Sequence, residues 1–120
     1  MWAVTATDEV FAALASSPRR EVLRLLLDGP RTVNDIASHF DMRRPSVSEH
    51  LRVLRTAALV SERKVGRERY YQLEPQPLIE LREWLHPYER FWRERLTALR
   101  DVLADLDRAE LDRTENLEDE

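Results

Sequence analysis

The chain of 120 residues contains no cysteine and only two glycines, Gly29 and Gly66. Without cysteine it has no disulfide, no thiolate metal ligand and no cysteine nucleophile. Two isolated glycines cannot form a glycine-rich phosphate loop, and neither the serine nucleophile motif G-x-S-x-G nor the zinc motif H-E-x-x-H occurs. We therefore do not expect an enzyme, and we expect no cofactor.

Long apolar runs are absent as well. No segment approaches the roughly 20 apolar residues of a membrane helix, and the start MWAVTATDEVF lacks the basic and apolar regions of a signal peptide. We expect a soluble, cytoplasmic protein that makes no membrane contact. Length favours one folded domain, residues 1–106. Residues 107–120 carry almost no large apolar side chains and are predicted to be an acidic, disordered tail.

Charge is distributed unevenly along this acidic chain, whose net charge is −4. Residues 75–120 carry 13 acidic and 7 basic side chains, whereas residues 41–69 carry 8 basic and 4 acidic ones. A local positive field can attract a polyanion even when the whole protein is acidic. A charged helix face is more often simply solvated, so charge alone does not establish a nucleic-acid partner.

Helix-start signals and a 3.6-residue apolar period predict four helices before residue 57. Their expected N-terminal residues are Thr7, then Ser17 followed by Pro18, then Thr32 paired with Asp35 in a capping box, then Pro45 in the first turn. Gly29 and Pro30 end the second helix. Apolar residues change to a period of two after Leu59, and LVSERKV with RYYQL predicts a β-hairpin whose charged tip contains Gly66.

Large apolar residues recur at spacings of three and four through the C-terminal segment, from Leu81 to Leu106. This spacing predicts a helix with a heptad-like seam. Pro87 interrupts the pattern near its start, so we expect a kink or two abutting helices there. Aromatic residues at 84, 88, 91 and 92 favour an interface or core, with a small-molecule pocket at a dimer interface as the alternative.

The third and fourth predicted helices have the spacing of a helix-turn-helix. Ala37 permits close packing, Met42 fills the turn, and Val47 lies ten residues after Ala37, followed by Leu51 and Leu54 on the same face. The opposite face of the fourth helix is polar and fits a DNA major groove. Order and spacing, together with the basic hairpin that follows, favour double-stranded DNA as the partner.

The polar face suggests individual roles. Arg44 has the geometry to read guanine O6 and N7, and Glu49 could accept a hydrogen bond from cytosine N4. The other arginines of the helix, Arg43, Arg52 and Arg55, are better placed for backbone phosphates. The predicted DNA-binding residues are Arg43, Arg44, Ser46, Ser48, Glu49, His50, Arg52, Lys64, Arg67 and Arg69.

The segments VFAALASSPRREVLRLLLDG, RRPSVSEHLRVLRTAALV and GRERYYQL together resemble the arsenic-repressor (ArsR) family of winged helix-turn-helix regulators. The C-terminal LREWLHPYERFWRERL is similar to the subgroup that lacks metal sites. The resemblance implies a mainly α fold with a β-hairpin wing, and a homodimer, formed by the first and last helices, that represses a palindromic operator. The implied dimer-interface residues are Val10, Phe11, Leu14, Leu81, Trp84, Leu85, Tyr88, Phe91, Trp92, Leu96, Leu99 and Leu103.

The chain departs from the pattern of the resemblance at two recognition-helix positions and at the metal ligands. Arg43 stands where relatives often have a capping serine, so Asp41 must cap the helix or its end frays. Glu49 stands where relatives are frequently basic. The third helix, TVNDIASHF, lacks the cysteine pair of the metal sensors. We expect no metal site; the alternative is one assembled across a dimer from His86 with Glu83 or Glu89.

Three functional hypotheses follow from these patterns. The first is a metal-independent homodimeric repressor of a palindromic operator. The second is an effector-gated repressor with a small-molecule pocket at the aromatic dimer interface. The third keeps the winged fold as a protein-interaction module that binds a partner through the acidic C-terminal helix.

Overall fold

The fold was analysed in a computed structural model, which describes residues 5–118. Helices in this part of the chain are α1 (Ala6–Leu14), α2 (Ser17–Leu25), α3 (Val33–Ser38), α4 (Arg44–Thr56) and α5 (Gln76–Glu118), with a 3-10 turn at Leu26–Asp28. The strands are β1 (Arg31–Thr32), β2 (Val60–Val65) and β3 (Glu68–Leu73). Contacts divide the chain into two units, one that ends at Glu83 and one that begins at Trp84 within α5.

The core of the first unit collects one apolar stripe from each of the first four helices. Ile36, Leu51, Leu54 and Leu59 are completely or almost completely buried, and no side-chain nitrogen or oxygen that is buried among the described residues lacks a hydrogen-bond partner. Val10 is also a core residue, 3% exposed. Its assignment to the dimer interface is therefore wrong, because helix α1 turns Val10 toward the interior.

The first two helices begin at residues slightly different from those predicted. Thr5, not Thr7, is the N-cap of α1: its hydroxyl accepts from the backbone N–H of Asp8 (3.2 Å), and the Asp8 carboxylate accepts from the N–H of Thr5 (2.9 Å). This reciprocal capping box satisfies two backbone donors that a cap at Thr7 would leave unpaired. Ser16 is the N-cap residue of α2, one position before the predicted Ser17.

The helix-turn-helix spans α3 and α4. Thr32 caps α3 as predicted, because its hydroxyl accepts from the backbone N–H of Asp35 (3.1 Å). The second half of the predicted capping box does not form, because the Asp35 carboxylate accepts from the Arg31 guanidinium (2.8 Å). Met42 in the turn packs against the core, as its spacing indicated. Arg43 is the N-cap residue of α4 and makes no side-chain capping bond. Among the described residues the carboxylate of Asp41 makes no capping bond in its place. The N–H groups of Ser46 and Val47 donate to the Arg43 carbonyl (3.0 and 3.3 Å), and Pro45 has no N–H, so the N–H of Arg44 is the one left for solvent or a ligand.

Strands β2 and β3 form the predicted hairpin, in which Val65 pairs with Glu68 across a two-residue turn. Gly66 occupies that turn at φ +64°, a conformation that favours glycine. Strand β1 adds a third strand through the pairs Arg31–Tyr71 and Thr32–Tyr70, giving the order β1-β3-β2. The predicted fold class, mainly helical with a hairpin wing, is confirmed.

Ala58 ends α4 in the left-handed conformation, with φ +60°. The N–H of Leu59 donates to the carbonyl of Leu54 and the N–H of Ala58 to that of Arg55, both at 3.0 Å. These are the two hydrogen bonds of a Schellman motif, whose left-handed position usually holds glycine because a Cβ is strained there.

We expect Ala58→Gly to raise the free energy of unfolding by about 1 kcal/mol, since relief of that strain exceeds the extra entropy of an unfolded glycine. Urea denaturation followed by circular dichroism measures the change. Ala57→Gly is the matched control: Ala57 has a negative φ of −80°, which an L-residue adopts without strain, and it is buried, so the same replacement should destabilise the protein. Destabilisation by both variants would contradict the assignment of strain to Ala58.

Helix α5 runs without a break for 43 residues, with Pro87 inside it. The alternative of two abutting helices is therefore wrong; proline removes one backbone donor, and the remaining hydrogen bonds of a long helix continue past it. Residues 107–118 are also helical, where the sequence predicted a disordered tail. Local pairing supports them: Arg108 bonds Asp105 (3.0 Å) and the Thr114 hydroxyl donates to the Glu110 carbonyl (3.0 Å). Residues 119–120 of the predicted tail and residues 1–4 of the predicted domain lie outside the described residues.

Candidate nucleic-acid interface

Helix α4 presents one buried and one solvent-facing side. Val47, Leu51 and Leu54 are at most 1% exposed, and they attach the helix to the core. The predicted DNA-binding residues lie on the outer side of α4 and on the wing, and all except His50 are exposed. The fold therefore brings the basic residues of positions 43–69 to the surface, on elements that rigid packing holds in place.

Glu49 and Arg52 form an ion pair on the outer side of α4. Two guanidinium nitrogens of Arg52 donate to the two carboxylate oxygens of Glu49, at 3.0 and 2.6 Å. The hydrogen bond from Arg52 lowers the pKa of Glu49 below its ordinary value. The charge of Glu49 is thus neutralised by Arg52, one helical turn away. The role suggested from the sequence, an acceptor for cytosine N4, did not take this ion pair into account.

Glu62, on strand β2, links the end of α4 to the wing. Its carboxylate accepts from Arg55 of α4 (2.5 Å), from Arg69 of β3 (2.6 Å) and from the Tyr71 hydroxyl (3.3 Å). Burial would raise the pKa of Glu62, but the hydrogen bonds from Arg69 and Tyr71 and the positive charges of Arg69 and Arg55 together lower it. Arg55 and Arg69, two basic side chains that the sequence suggested for DNA contact, are therefore already paired within the protein.

Arg44 is held differently, by an uncharged partner. Its guanidinium donates to the side-chain oxygen of Asn34 on α3 (2.5 Å), so its positive charge is not neutralised. A notch of about 230 Å3 opens beside it, bounded by the start of α3, the start of α4 and the wing turn. Its lining residues are Thr32, Val33, Asn34, Arg44, Arg67, Glu68 and Arg69.

His50 faces a neighbouring helix. Its Nδ1 lies 3.3 Å from a guanidinium nitrogen of Arg19 in α2. Arg19 also donates to the backbone carbonyls of Ala13 (2.6 Å) and Ala12 (3.1 Å) near the end of α1. His50 is consequently half-buried, and Arg19 orients it from behind the exposed surface of α4.

Three residues of this surface were missed by sequence reasoning: Arg19, Asn34 and Glu62. Glu62 carries a usable signal, because it is the only acidic residue between positions 50 and 67. An isolated carboxylate within a basic strand predicts a local ion pair. Asn34 and Arg19 give no such signal, because their partners lie 10 and 31 residues away.

Comparison with known proteins identifies the family of this chain. Residues 16–62, from the start of α2 to within β2, match the family model described as bacterial regulatory protein, arsR family. The HTH-type transcriptional regulator Rv2034 of Mycobacterium tuberculosis is 41% identical over 96 residues, which cover 80% of this chain and 87% of that relative. The chain belongs to the ArsR family of transcriptional regulators.

Two further matches agree with this assignment. The transcriptional repressor SdpR of Bacillus subtilis is 37% identical over 78 residues, 65% of this chain and 87% of that protein. A crystal structure of an ArsR family transcriptional regulator superposes with a TM-score of 0.68 at 34% identity, covering 74% of this chain and 98% of that one. This ArsR-family chain is therefore a DNA-binding transcription regulator and not an enzyme.

The described residues offer neither a cluster of metal ligands nor a membrane-spanning helix. Within residues 5–118 no three histidine, aspartate or glutamate side chains are grouped so that they could hold a metal ion. His39, for example, uses its Nδ1 on the backbone carbonyl of Asp35 (2.8 Å). Over the same residues, no helix has the length and apolar character required to cross a lipid bilayer.

Proposed function

We propose that this ArsR-family regulator is a homodimeric repressor of a palindromic operator and that it binds DNA without a metal ion. The observation that carries the proposal is the apolar face of α5. Trp92 is 63% exposed, and Leu96 and Leu99 are each 54% exposed. A contiguous stripe of aromatic and leucine side chains on one helix marks an interaction surface.

The stripe has the period of a helix-pairing seam. Its exposed members within the proposed interface are Trp84, Leu85, Tyr88, Phe91, Trp92, Leu96, Leu99 and Leu103. Leu81, Phe11 and Leu14 are partly buried and stay in the proposal as flanking contacts, whereas Val10 does not. Beyond Leu106 the helical period places Glu110 and Arg113 on the seam, so we propose that pairing ends there and that residues 107–120 are a separate acidic segment.

A two-fold dimer of this kind presents two copies of α4. Helix-turn-helix dimers bind half-sites separated by about one helical turn of DNA or a multiple of it. In the proposal Ser46, Ser48 and the outer face of α4 contact the major groove. Arg43, Lys64 and Arg67, for which the structure gives no ion pair within residues 5–118, supply electrostatic affinity for the DNA backbone.

A fluorescence-anisotropy titration at about 150 mM salt tests the proposal. It compares DNA from upstream of the protein's own gene with a scrambled duplex of equal length, with and without a metal chelator. We expect a preference of about 10³-fold or more, unchanged by the chelator, and a dimer by light scattering. Equal weak binding to both duplexes would contradict autoregulation, and a loss of preference in chelator would contradict metal independence.

A second candidate function is effector-gated repression, which the aromatic part of α5 favours. The rings of Trp84 and Tyr88 stack at 5.0 Å between centroids, and Arg95 lies 4.5 Å over the ring of Phe91. Exposed aromatic rings can stack on a flat small molecule or bind a cationic one. An effector would quench tryptophan fluorescence and release DNA at the same concentration.

A further inference from the structure

We propose that the notch between α3, α4 and the wing is a binding site for one phosphodiester group of the DNA backbone, with Arg44 and Arg67 as its ligands. Asn34 is a positioning residue that holds Arg44 toward the notch. The inference rests on the proposed function and deepens it, because it assigns Arg44 to the backbone and not to a guanine.

Charge pairing and position together distinguish Arg44 and Arg67 from the other basic residues of α4 and the wing. Along α4 and the wing, Arg52, Arg55 and Arg69 each contact a carboxylate at 2.6 Å or less. Arg44 and Arg67 have no ion pair among the residues that the structure describes, and both line the notch. Two exposed guanidinium groups without an ion pair that line one cavity give it a positive potential, which attracts an anion.

The charges of the notch match a singly charged anion. Arg69 is committed to Glu62, and the remaining lining charges are Arg44, Arg67 and Glu68. These sum to +1. The Glu68 carboxylate accepts from the Tyr70 hydroxyl (3.1 Å), so it is held by a partner on its own strand. One phosphodiester, which carries a single negative charge, would leave the notch neutral.

The orientation of Arg44 favours the backbone over a base. Asn34 lies at the start of α3, and in a helix-turn-helix the first helix crosses the sugar-phosphate backbone while the second enters the groove. A guanidinium hydrogen-bonded to the first helix therefore lies beside the backbone. Guanidinium groups have five N–H donors and bind phosphate in a bidentate manner, so the bond to Asn34 leaves enough donors for the phosphate.

The notch is also large enough for a phosphodiester group, and Arg67 of the wing adds hydrogen-bond donors to those of Arg44. Its volume of about 230 Å3 corresponds to several water molecules at roughly 30 Å3 each, which a phosphodiester can displace. Because Arg67 belongs to the wing turn and Arg44 to α4, one phosphate would connect the two DNA-contacting elements. The site thereby fixes the register of the recognition helix without reading sequence.

The test measures DNA affinity as a function of salt for Arg44→Ala, Arg67→Ala, the double variant and Asn34→Asp. Each protein is titrated with the preferred duplex, where the titration above has found one, and with an arbitrary duplex of equal length at low salt. Arg100→Ala removes the same charge from an exposed position on α5 and is the matched control. Circular dichroism confirms folding, which these exposed sites should not alter.

We expect each arginine variant to lower the slope of log affinity against log salt by up to about one, equally on both duplexes. If the two arginines share one phosphate, the double variant should lose less than the sum of the single losses. Asn34→Asp should reproduce the slope change of Arg44→Ala, because the new carboxylate neutralises Arg44 in place. Arg100→Ala should change nothing.

Three outcomes would overturn the proposal, and they are distinguishable. A loss in Arg44→Ala at least tenfold larger on the preferred duplex than on the arbitrary one would make Arg44 a base reader. Unchanged slopes in all variants, with normal DNA binding by the wild type, would show that the notch does not contact DNA. The proposed function would then still stand. Absence of wild-type binding to any duplex would overturn the proposed function and the notch with it.

Discussion

Leu99→Glu should convert the proposed dimer into a monomer and weaken binding to a two-half-site operator by on the order of 10²–10⁴-fold. Leu99 lies in the middle of the apolar stripe of α5 and is 54% exposed in the single chain. In a symmetric pair of helices the variant would bury two carboxylates together, which costs far more than the lost leucine contacts. The second recognition helix would then bind as an independent molecule.

Light scattering gives the oligomeric state of this variant, and anisotropy gives its operator affinity. Thr97→Glu is the matched control, since it adds the same charge two residues away on the opposite, polar side of α5. There the Thr97 hydroxyl donates to the Arg93 carbonyl (2.9 Å). The control should stay dimeric and bind DNA normally. A Leu99→Glu protein that remains a dimer would show that the stripe is covered by something other than a second copy.

The elements that the sequence predicts well are those specified by local pattern. Pro45 at the start of α4 and Val47 ten residues after Ala37 depend only on near neighbours and on helical geometry. The two-residue turn at Gly66 is likewise set by its own backbone requirement. These signals were sufficient to predict the helix-turn-helix, the wing and the solvent-facing side of α4.

The errors occur where two local signals compete or where burial depends on distant elements. Thr5 and Thr7 are both possible caps, but only Thr5 has an acidic residue, Asp8, three positions on. Val10 and Leu14 share a helical face by spacing, yet the packing of the other helices decides which is buried. The helix beyond residue 106 forms with few apolar side chains because it continues an existing helix, which avoids a new nucleation step.

The hydrogen-bond and ion-pair partners of the site residues could not be predicted from the sequence. Arg44, Arg55 and Arg69 all look like free cations in the sequence. The structure pairs two of them with Glu62 and leaves the third on a neutral amide. Long side chains select partners in three dimensions, and this selection, more than the count of basic residues, determines where the uncompensated positive charge lies.

Glu62→Gln should lower the free energy of unfolding by about 1–3 kcal/mol at pH 7, since hydrogen bonds to an ionised group contribute more than neutral ones. The Glu62 side chain is only 14% exposed, and glutamine cannot satisfy Arg55 and Arg69 together. Urea denaturation measures the change. Glu49→Gln is the matched control, because its single ion pair is 59% exposed on both sides and its loss should have little effect.

The difference in unfolding free energy between wild type and Glu62→Gln should also become smaller as the pH falls. Burial opposes ionisation of Glu62, but its two arginines and Tyr71 outweigh it, and the pKa in the folded state lies below the ordinary 4.5. The stabilisation is therefore complete above the unfolded-state pKa and is lost as pH falls through the folded-state pKa. Wild type and Glu62→Gln should differ at pH 7 and should converge only as the pH falls below 4.5 and through the lowered pKa of Glu62 in the folded state. A difference that stays constant over this range would mean that Glu62 acts through packing and not through its charge.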